Sequence, residues 1–304
     1  MSAVAETWFD QPLVFTIAER HVRGRLVRLG PVLNRIMAAH NYPLVAEKLL
    51  AEALVLTVLL GSTLKDDAGQ MTLQAQTGGG PVELLVCDYR AGELRGHLKF
   101  DAERLAAVGP DPTLFALFGE GFLAITFDQA TTGERYQGIV PLEGSSIGTA
   151  AEHYFDQSEQ IPSLIKLAAR HDAEAGCIAG GLLLQHLPEG EVGRDRIEAR
   201  GDHPEWQHAE TIAATLKDAE LTDPATSLET LAWRLFHEDQ VRIEPGGRVS
   251  RGCRCSIEHF ASVLAQFPEA ERRDMADEQG LIQVDCAFCS RLFPIPLADI
   301  GAGD

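Results

Sequence analysis

Four of the six cysteines stand in two tight pairs near the C-terminus. One residue separates Cys253 from Cys255, two separate Cys286 from Cys289, and thirty residues lie between the pairs. Four thiolates match the all-sulfur donor set that closes a tetrahedral structural zinc site, whereas a catalytic zinc keeps one position open for water. The spacing therefore predicts one structural Zn²⁺ ion per chain, at a site that oxidants can also attack. An iron–sulfur cluster, which four cysteine thiolates can hold as well, stays open as an alternative.

The residues around the two pairs fit this role. In an extended segment, side chains two residues apart point to the same side, so Cys253 and Cys255 can address one ion together. Cys286 and Cys289 have the spacing of a turn-like knuckle that supplies the other two sulfurs. Three arginines adjoin the pairs, namely Arg251, Arg254 and Arg291. Positive charge favours thiolate over thiol, which assists both metal binding and reaction with oxidants.

Other candidate groups carry less chemistry. Cys87 lies in an apolar strand pattern and Cys177 in a Gly-Cys-Ile string, so both are predicted to be small buried side chains. The ten histidines show no metal-ligand spacing, and the three glycines at residues 78–80 lack the Lys and Ser/Thr of a phosphate-binding loop. No triad of nucleophile, base and orienting group can be assembled. We therefore predict no catalytic site and a protein that is not an enzyme.

Composition limits the class of protein. The chain has 304 residues, 45% of them hydrophobic, so a main domain of about 150 to 200 residues with smaller appendages is expected. The formal net charge of −19 opposes binding to nucleic acid and to anionic membranes. The N-terminal residues do not resemble a secretory signal, and the longest apolar run, at residues 53–60, is too short to span a bilayer. A cytoplasmic protein is expected, and in a reducing compartment clustered cysteines bind metals or act in redox chemistry.

Hydrophobic periodicity predicts a main domain of the α+β class. A buried helix is expected over residues 41–61, with Asn41 as its cap, Pro43 in its first turn and Gly61 at its end. Strands are predicted over residues 71–77, 82–88, 93–100, 121–128 and 136–142, and helices over residues 146–155 and 161–173. Short connections favour antiparallel pairing. Residues 1–190 are therefore predicted to form an antiparallel-rich sheet packed by helices.

Residues 191–240 are predicted to form a charged, conditionally folded helical linker. Between residues 196 and 240 the chain carries ten acidic and four basic residues. A segment this polar is helical mainly while something covers its apolar stripe. The expected apolar anchors of that stripe are Trp206, Ile212, Leu216, Leu231, Trp233, Leu235 and Phe236.

Residues 241–304 are predicted to form a zinc-binding module whose cysteines can also be oxidised. A short helix is expected over residues 256–266, with Phe260, Val263 and Leu264 facing inward. The stretch from Cys253 to Cys289 is only 37 residues long, a size at which a metal or disulfides supply what the core cannot. Removal of the metal is therefore expected to unfold this module.

Several strings outside the cysteine pairs carry a family resemblance. They are Arg-Tyr-Gln-Gly-Ile-Val at residues 135–140, Tyr-Phe-Asp-Gln-Ser-Glu-Gln-Ile-Pro at 154–162, Gly-Gly-Leu-Leu-Leu-Gln at 180–185 and Arg-Leu-Phe-His-Glu at 234–238. With the Cys-x-Cys and Cys-x-x-Cys pairs, they make residues 15–300 resemble the redox-regulated 33 kDa heat-shock chaperone family. The departures concern local packing: residues 256–259 lack an expected Lys or Arg, and Phe293 and Ile295 stand where Tyr and Phe are usual.

The resemblance implies an ATP-independent holdase chaperone that is inactive when reduced and zinc-bound and is activated by oxidants. It implies that Cys253, Cys255, Cys286 and Cys289 are the zinc ligands. It also implies that oxidation forms the disulfides Cys253–Cys255 and Cys286–Cys289. Unfolded or aggregation-prone proteins would be its clients, and the oxidised form would be a homodimer.

Energetics agree with such a switch. Structural zinc contributes about 10 to 16 kcal/mol in small peptides, whereas about 5 to 15 kcal/mol holds a typical domain together. Loss of the metal should therefore unfold the module, and local unfolding can spread to the linker. The freed apolar surface predicts client binding by the main domain's apolar face and by the linker. The client-binding residues predicted in the linker are Trp206, Leu231, Trp233 and Phe236.

Two other functions use the same motifs. Cys-x-x-Cys is also the active-site spacing of thiol-disulfide oxidoreductases, but those place it at the start of a helix, and Pro294 and Pro296 oppose a long helix here. A zinc-ribbon adaptor would bind nucleic acid or another protein through the module's arginines, although the overall acidity argues against nucleic acid.

Overall fold

A long apolar helix lies between two β-sheets, and most of the chain is arranged around it. The structure, a computed structural model, describes residues 9–64, 68–187 and 201–301. The strands in these ranges are β1 Leu13–Ile17, β2 Val22–Leu29, β3 Gln70–Thr77, β4 Val82–Arg90, β5 Glu93–Phe100, β6 Gly121–Asp128, β7 Arg135–Pro141, β8 Ser163–Asp172, β9 Gly176–His186, β10 Val241–Pro245, β11 Ser250–Arg251, β12 Leu281–Asp285 and β13 Leu292–Pro296. The helices are α1 Pro31–Met37, α2 Leu44–Gly61, α3 Ala102–Ala106, α4 Leu114–Phe118, α5 Ile147–Tyr154, α6 Pro204–Ala214, α7 Asp218–Leu221, α8 Leu228–Leu235, α9 Ile257–Leu264 and α10 Glu269–Met275.

Antiparallel pairing dominates the sheets, as predicted. The first sheet has the order β10-β1-β2-β9-β8, and the second has the order β11-β5-β4-β3-β6-β7. In the second sheet only β11 pairs parallel to its neighbour, β5. Strands β12 and β13 form a separate hairpin near the C-terminus. The predicted α+β class is confirmed, with two large sheets in place of the single one expected.

Helix α2 is the scaffold of the main body. From Leu49 to Gly61 every residue except Glu52 is buried, because the helix contacts strands of both large sheets. The helix begins at Leu44 rather than at the predicted Asn41, since Pro43 has an extended backbone with φ −67° and ψ 156°. In the part of the chain that the structure describes, no helix is long and apolar enough to cross a membrane.

Residues 163–172 form strand β8, so the helix predicted over residues 161–173 is wrong. Apolar residues occupy both faces of this segment, so its sequence shows neither the 3.6-residue periodicity of an amphipathic helix nor the alternation of a half-buried strand. Tertiary context decides the conformation: β8 pairs along its whole length with β9, from Ser163 opposite Gln185 to Asp172 opposite Gly176. The strings at 163–172 and 176–186 thus form one hairpin at the edge of the first sheet.

The first sheet is apolar on both faces. Side chains of a strand alternate between faces, so Ile165 and Leu183 pack with α2 in the main core. Leu182 and Leu184 point the other way, into a second apolar cluster with Phe15 of β1. This second face needs a cover, because a bare apolar sheet face of this size would bind other molecules.

The linker helices α6, α7 and α8 supply that cover. Trp206, Leu231 and Phe236 are buried in the second cluster, and the ring centroids of Phe236 and Phe15 lie 5.6 Å apart. Trp233 is 63% exposed, so the prediction that it anchors the linker is wrong. Two residues along a helix correspond to a turn of roughly 200°, which directs Trp233 away from the face that Leu231 buries. Residues 191–200 of the predicted linker lie outside the described residues.

A buried arginine ties α7 to the first sheet. Arg28 of β2 is fully buried and donates hydrogen bonds from all three guanidinium nitrogens to linker carbonyls. The acceptors are Leu221 at 2.8 Å, Thr226 at 2.6 Å and Glu220 at 3.0 Å. Burial lowers the pKa of Arg28 to about 10. The neighbouring strand residue is Gly180, where a Cβ would lie only 2.3 Å from the Leu221 oxygen.

Other basic groups of the main body hold the ends of the linker helices. The Lys166 ammonium donates to the carbonyls of Ala214, at 2.8 Å, and Leu216. Ala214 is the last residue of α6, and Leu216 lies two residues beyond it. Carbonyls there lack partners within the helix and attract positive charge. Arg20 pairs with linker carboxylates at both ends of the segment, Glu205 at 2.6 Å and Asp239 at 2.7 Å. The acidic linker is therefore folded against a basic and apolar surface.

Glu52 gives the main body a dependence on pH. Glu52 is partly buried, and desolvation raises the pKa of its carboxyl from 4.5 to about 7, with Lys48 opposing the shift and Asp218 and Asp111 adding to it. The folded state thus binds more protons than the unfolded chain between these values, so stability falls as pH rises and the loss is complete above pH 7. We expect Glu52→Gln to raise the free energy of unfolding at pH 8 by on the order of 3 kcal/mol and to change it little at pH 4.

Urea denaturation of the reduced protein at the two pH values measures this effect. Glu103→Gln, at an exposed position, is the matched control and should leave the free energy of unfolding unchanged at both. Equal unfolding free energies for the parent and Glu52→Gln at pH 8 would contradict the prediction.

Candidate metal centre

Cys286 and Cys289 lie in the turn of the β12–β13 hairpin. The Cys286 N–H donates to the Arg291 carbonyl at 3.0 Å, directly beyond the strand ladder. The Cys286 carbonyl accepts hydrogen bonds from the N–H groups of Cys289, at 3.2 Å, and Ser290, at 2.8 Å. This tight turn is the knuckle that the spacing predicts. It is not the start of a helix, which is where an oxidoreductase would carry Cys-x-x-Cys.

The other pair lies between β11 and α9. Neither Cys253 nor Cys255 is in a strand, because β11 ends at Arg251. The chain then turns towards α9, whose first turn is capped by the Ser256 hydroxyl accepting from the His259 N–H at 3.1 Å. A helix cap directly after the pair directs the chain away. The two thiols remain on one side of the segment, as expected.

The four sulfurs converge on one point. The Sγ atom of Cys253 lies 3.2 Å from that of Cys255 and 3.6 Å from that of Cys286. The sulfurs of Cys255 and Cys289 are 3.5 Å apart, and all four lie within 4.8 Å of one another. A Zn–S bond of about 2.3 Å in a tetrahedron separates the sulfurs by roughly 3.8 Å. The residues therefore fit a Cys₄ metal site, and the sequence identified all four candidate ligands.

Hydrogen bonds lower the pKa of one of the four thiols. Burial raises the pKa of the Cys253 thiol, but the Cys255 N–H and the three neighbouring thiols bring the net shift downward. Burial raises the pKa of Cys255 and of Cys286. At Cys286 the N–H groups of Phe288 and Cys289 oppose that rise by donating towards the sulfur. Backbone N–H groups aimed at a sulfur favour the thiolate that a metal needs.

Few apolar side chains support the metal site. The buried cluster of this module consists of Leu264, Ile282, Cys286, Phe293, Ile295 and Ile300. Helix α9 forms within the predicted range, and Leu264 faces this cluster, whereas Val263 is 39% exposed. The prediction that Val263 faces inward is wrong, because α9 has only the hairpin on one side to cover it. A core of this size is small for an independent domain.

The module is docked onto the second sheet by contacts that the sequence analysis missed. Arg254, between the first two cysteines, donates to the Gln70 side chain at 2.8 Å and lies 3.5 Å from the Asp88 carboxylate. Asp88 also pairs with Arg95 at 2.6 Å, and the Arg95 guanidinium lies 4.1 Å from the ring centroid of Phe288 in the knuckle. These partners come from distant strands, so no local pattern could have indicated them.

Two more contacts join the knuckle to the turn after α1 and to strand β5. The Ser290 hydroxyl lies 3.2 Å from Nδ1 of His40, and the ring of Phe288 meets that of His97 edge-on, with centroids 6.4 Å apart. The residues that follow and separate the two knuckle cysteines therefore contact the main body. A change in the conformation of the knuckle would alter these contacts.

The two lone cysteines lie apart from the centre, in the main core. Cys87 is fully buried and Cys177 nearly so, as predicted. Burial raises the pKa of the Cys87 thiol, with Asp88 adding to the shift. Burial and the neighbouring Glu47 raise the pKa of Cys177 to about 12. Thiols in this state react slowly with oxidants.

The chain is similar to known proteins over most of its length. Residues 10–295 match the model of a family described as Hsp33 protein. A 33 kDa chaperonin of Caulobacter vibrioides is 39% identical over 294 residues, which cover 94% of this chain and 94% of that protein. A 33 kDa chaperonin of Yersinia pestis is 36% identical over 293 residues, which cover 96% of this chain and 94% of the relative.

A solved structure has the same fold. The crystal structure of a 33 kDa chaperonin, an Hsp33 homologue, from Thermotoga maritima matches with a TM-score of 0.78 and covers 96% of each chain. The two sequences are 22% identical, so this likeness concerns the architecture.

Proposed function

The chain belongs to the Hsp33 family and is a chaperone, and from that premise we propose that it is a redox-regulated, ATP-independent holdase. In the proposed resting state its four clustered thiols are reduced and hold one Zn²⁺ ion. The observation that carries the proposal is the convergence of these thiols within 4.8 Å. In a member of this family, a metal bound by four oxidisable thiolates can keep the chaperone inactive until the thiolates are oxidised.

In the resting state the four cysteines cross-link the two halves of the module. When bound, zinc supplies a closed tetrahedral clamp and no catalytic chemistry. Cys253 and Cys255 hold the end that leads back to β11, and Cys286 and Cys289 hold the hairpin. The Phe288 and Ser290 contacts then keep the module on the main body, and the linker stays folded on the first sheet.

Oxidation converts the ligands into disulfides. One peroxide molecule takes two electrons from a pair of thiols, forms one S–S bond and leaves as two water molecules, so the two disulfides consume two peroxides. We propose the pairs Cys253–Cys255 and Cys286–Cys289. The first pair is already 3.2 Å apart, and the second is joined by a single turn. A disulfide sulfur is no longer a thiolate ligand, so the ion is released.

Unfolding of the module reaches the linker through the chain between them. Strand β11 pairs with β5 over only two residues, Ser250 and Arg251, and β10 occupies the edge of the first sheet beside β1. Linker residue Asp239, which precedes β10, is tied to Arg20. Unfolding of the module loosens β11 first, and β10 together with the Asp239–Arg20 ion pair next. The linker helices then lose their attachment at the carboxyl end of the linker.

The released linker and the sheet face beneath it would bind unfolded clients. Trp206, Leu231 and Phe236 leave the second apolar cluster when the linker unfolds and become available, whereas Trp233 is available from the start. These four residues remain the proposed client-binding residues of the linker. We further propose that the oxidised form is a homodimer, that the protein works in the cytoplasm without binding nucleic acid or membrane, and that it has no catalytic role.

One experiment tests the proposal on the full chain. Zinc released, thiols consumed and suppression of aggregation of a heat-denatured client are measured on a single peroxide-treated sample, and again after reduction with zinc restored. We expect all three quantities to change together and to return together. Equal protection by the fully reduced, zinc-loaded protein would contradict the proposal.

A further inference from the structure

Three of the strings that carry the family resemblance meet at one groove, to which neither the metal centre nor linker residues 201–240 contribute. The groove has a volume of about 600 Å³ and lies beside strand β7. The string at 135–140 contributes Tyr136, the string at 154–162 contributes Tyr154, Phe155, Glu159 and Ile161, and the string at 180–185 contributes Gln185. Leu64 and Phe127 add apolar surface. The rest of the lining is polar, from Thr63, Gln129 and Thr131. A pocket that combines aromatic walls with polar groups is typical of a binding site.

The strand beside the groove has an open edge. In the described ranges β7 is the last strand of the second sheet, and no strand pairs with its outer side. Its ladder with β6 is flanked by two backbone bonds, from Leu142 to Gly121 and from Gln129 to Glu134. Bonded positions recur at every second residue of an antiparallel ladder. The backbone N–H and C=O groups of Gln137 and Ile139 therefore point outward.

This edge lacks the protection that edge strands usually carry. Natural edges are blocked by charged side chains, proline or bulges. Here Arg135 and Pro141 stand at the two ends, and the residues between them carry no charge. Ile139 is 59% exposed on one face of the strand, and Tyr136 is 48% exposed on the groove side. An apolar edge of this kind is a template for another strand.

We propose that the β7 edge binds a segment of unfolded client protein in extended form, and that an aromatic or aliphatic side chain of that segment enters the groove. The inference rests on the proposed holdase function and names a contact site for its clients. Strand addition uses backbone groups that every polypeptide has, which suits a chaperone with many clients. The site favours uncharged or basic segments, because the carboxylates of Glu134 and Glu159 border it, whereas Asp128 is paired with Arg135.

Among the described residues the β7 edge is open while linker residues 201–240 are folded, so this contact does not require oxidation. One added strand binds weakly, and the surface released on oxidation supplies the second contact that makes the capture strong. The reduced protein therefore binds clients weakly and releases them readily.

The test uses the reduced, zinc-loaded full chain and a short fluorescent peptide of alternating Val, Thr and Tyr with a Lys at each end. Fluorescence anisotropy measures its affinity, and hydrogen exchange measures protection of β7 amides in the unmodified protein. We expect protection of the β7 segment on peptide binding. Ile139→Lys adds a charge at the edge. Gln137→Pro removes an outward N–H and the side-chain hydrogen bond from Gln137 to Thr126, but no backbone bond of the ladder. Each should weaken binding roughly tenfold.

Matched controls distinguish peptide binding at the β7 edge from non-specific binding to exposed apolar residues. Leu44→Lys changes an equally exposed apolar residue, 64% exposed, far from β7 in the fold, and should leave peptide affinity unchanged. A peptide with proline at its centre should not bind. The inference is overturned if the peptide binds equally well to Ile139→Lys or leaves β7 unprotected. It is also overturned if sedimentation shows a reduced dimer that Ile139→Lys dissociates, since a second copy then occupies the edge. Loss of redox control with peptide binding intact would instead contradict the proposed function alone.

Discussion

A chelator that removes zinc from the reduced, zinc-loaded protein is expected to unfold residues 253–300 and to leave the two large sheets folded. Four thiolates supply about 10 to 16 kcal/mol of apparent zinc-binding energy in small peptides, and the six buried residues of the module cannot replace that amount. Hydrogen exchange measures the result: the amides of Ile282 and Ile295 should lose protection, while those of Leu54 in α2 should keep theirs.

Two cysteine substitutions give matched arms for the same measurement. Cys255→Ala should behave like the chelated protein without any chelator, because three thiolates do not close the site. Cys177→Ala removes a buried thiol far from the centre and should keep the module folded and the zinc bound. Full protection of the β12–β13 hairpin in a protein shown to hold no zinc would refute the prediction.

Trp206→Ala is expected to release the linker in the reduced protein and to switch on holdase activity without an oxidant. Trp206 is 2% exposed at the interface between α6 and the first sheet, and truncation of a buried tryptophan costs about 3 to 5 kcal/mol. That loss exceeds the stability expected of a linker docked locally on the main body. Protease sensitivity of residues 201–240 and suppression of client aggregation, both under reducing conditions, measure the effect.

Trp233→Ala is the control in the same segment. Trp233 is 63% exposed, so its removal should change linker stability by less than about 0.5 kcal/mol. If both variants behave like the parent protein when reduced, the linker does not hold the chaperone inactive.

The metal centre could be predicted from the sequence because its information is local. The short spacing within each cysteine pair restricts where two thiols can point, and the assembled site has the four predicted candidate ligands. The docking of the centre could not be predicted, because Arg254 finds Gln70 and Asp88 only after the second sheet has formed. Contacts between residues so far apart in sequence leave no periodic signal.

The wrong predictions have a shared physical cause. Strand β8 was expected to be a helix, and Trp233 and Val263 were expected to be buried, because each assignment rested on hydrophobicity in one segment. Pairing with β9 determines the conformation of β8. The position of neighbouring elements determines how far Trp233 and Val263 are buried. Where an element was bounded by turn residues, as with β3, β4, β6 and β7, the expected and observed ranges agree within two residues.

The cations beneath the linker have a consequence for what an activated molecule would offer its clients. When α6 and α7 leave, the guanidinium of Arg28 and the ammonium of Lys166 lose the carbonyl oxygens that they bind in the folded linker. Both cations then lie in an apolar surface, where hydrogen-bond donors without acceptors cost free energy. A denatured chain carries carbonyl oxygens at every residue, so it can satisfy those donors wherever it lands. The uncovered sheet face would then hold a client through hydrogen bonds to these two cations as well as through apolar contacts. The client would take the place of the linker segments that had covered the face.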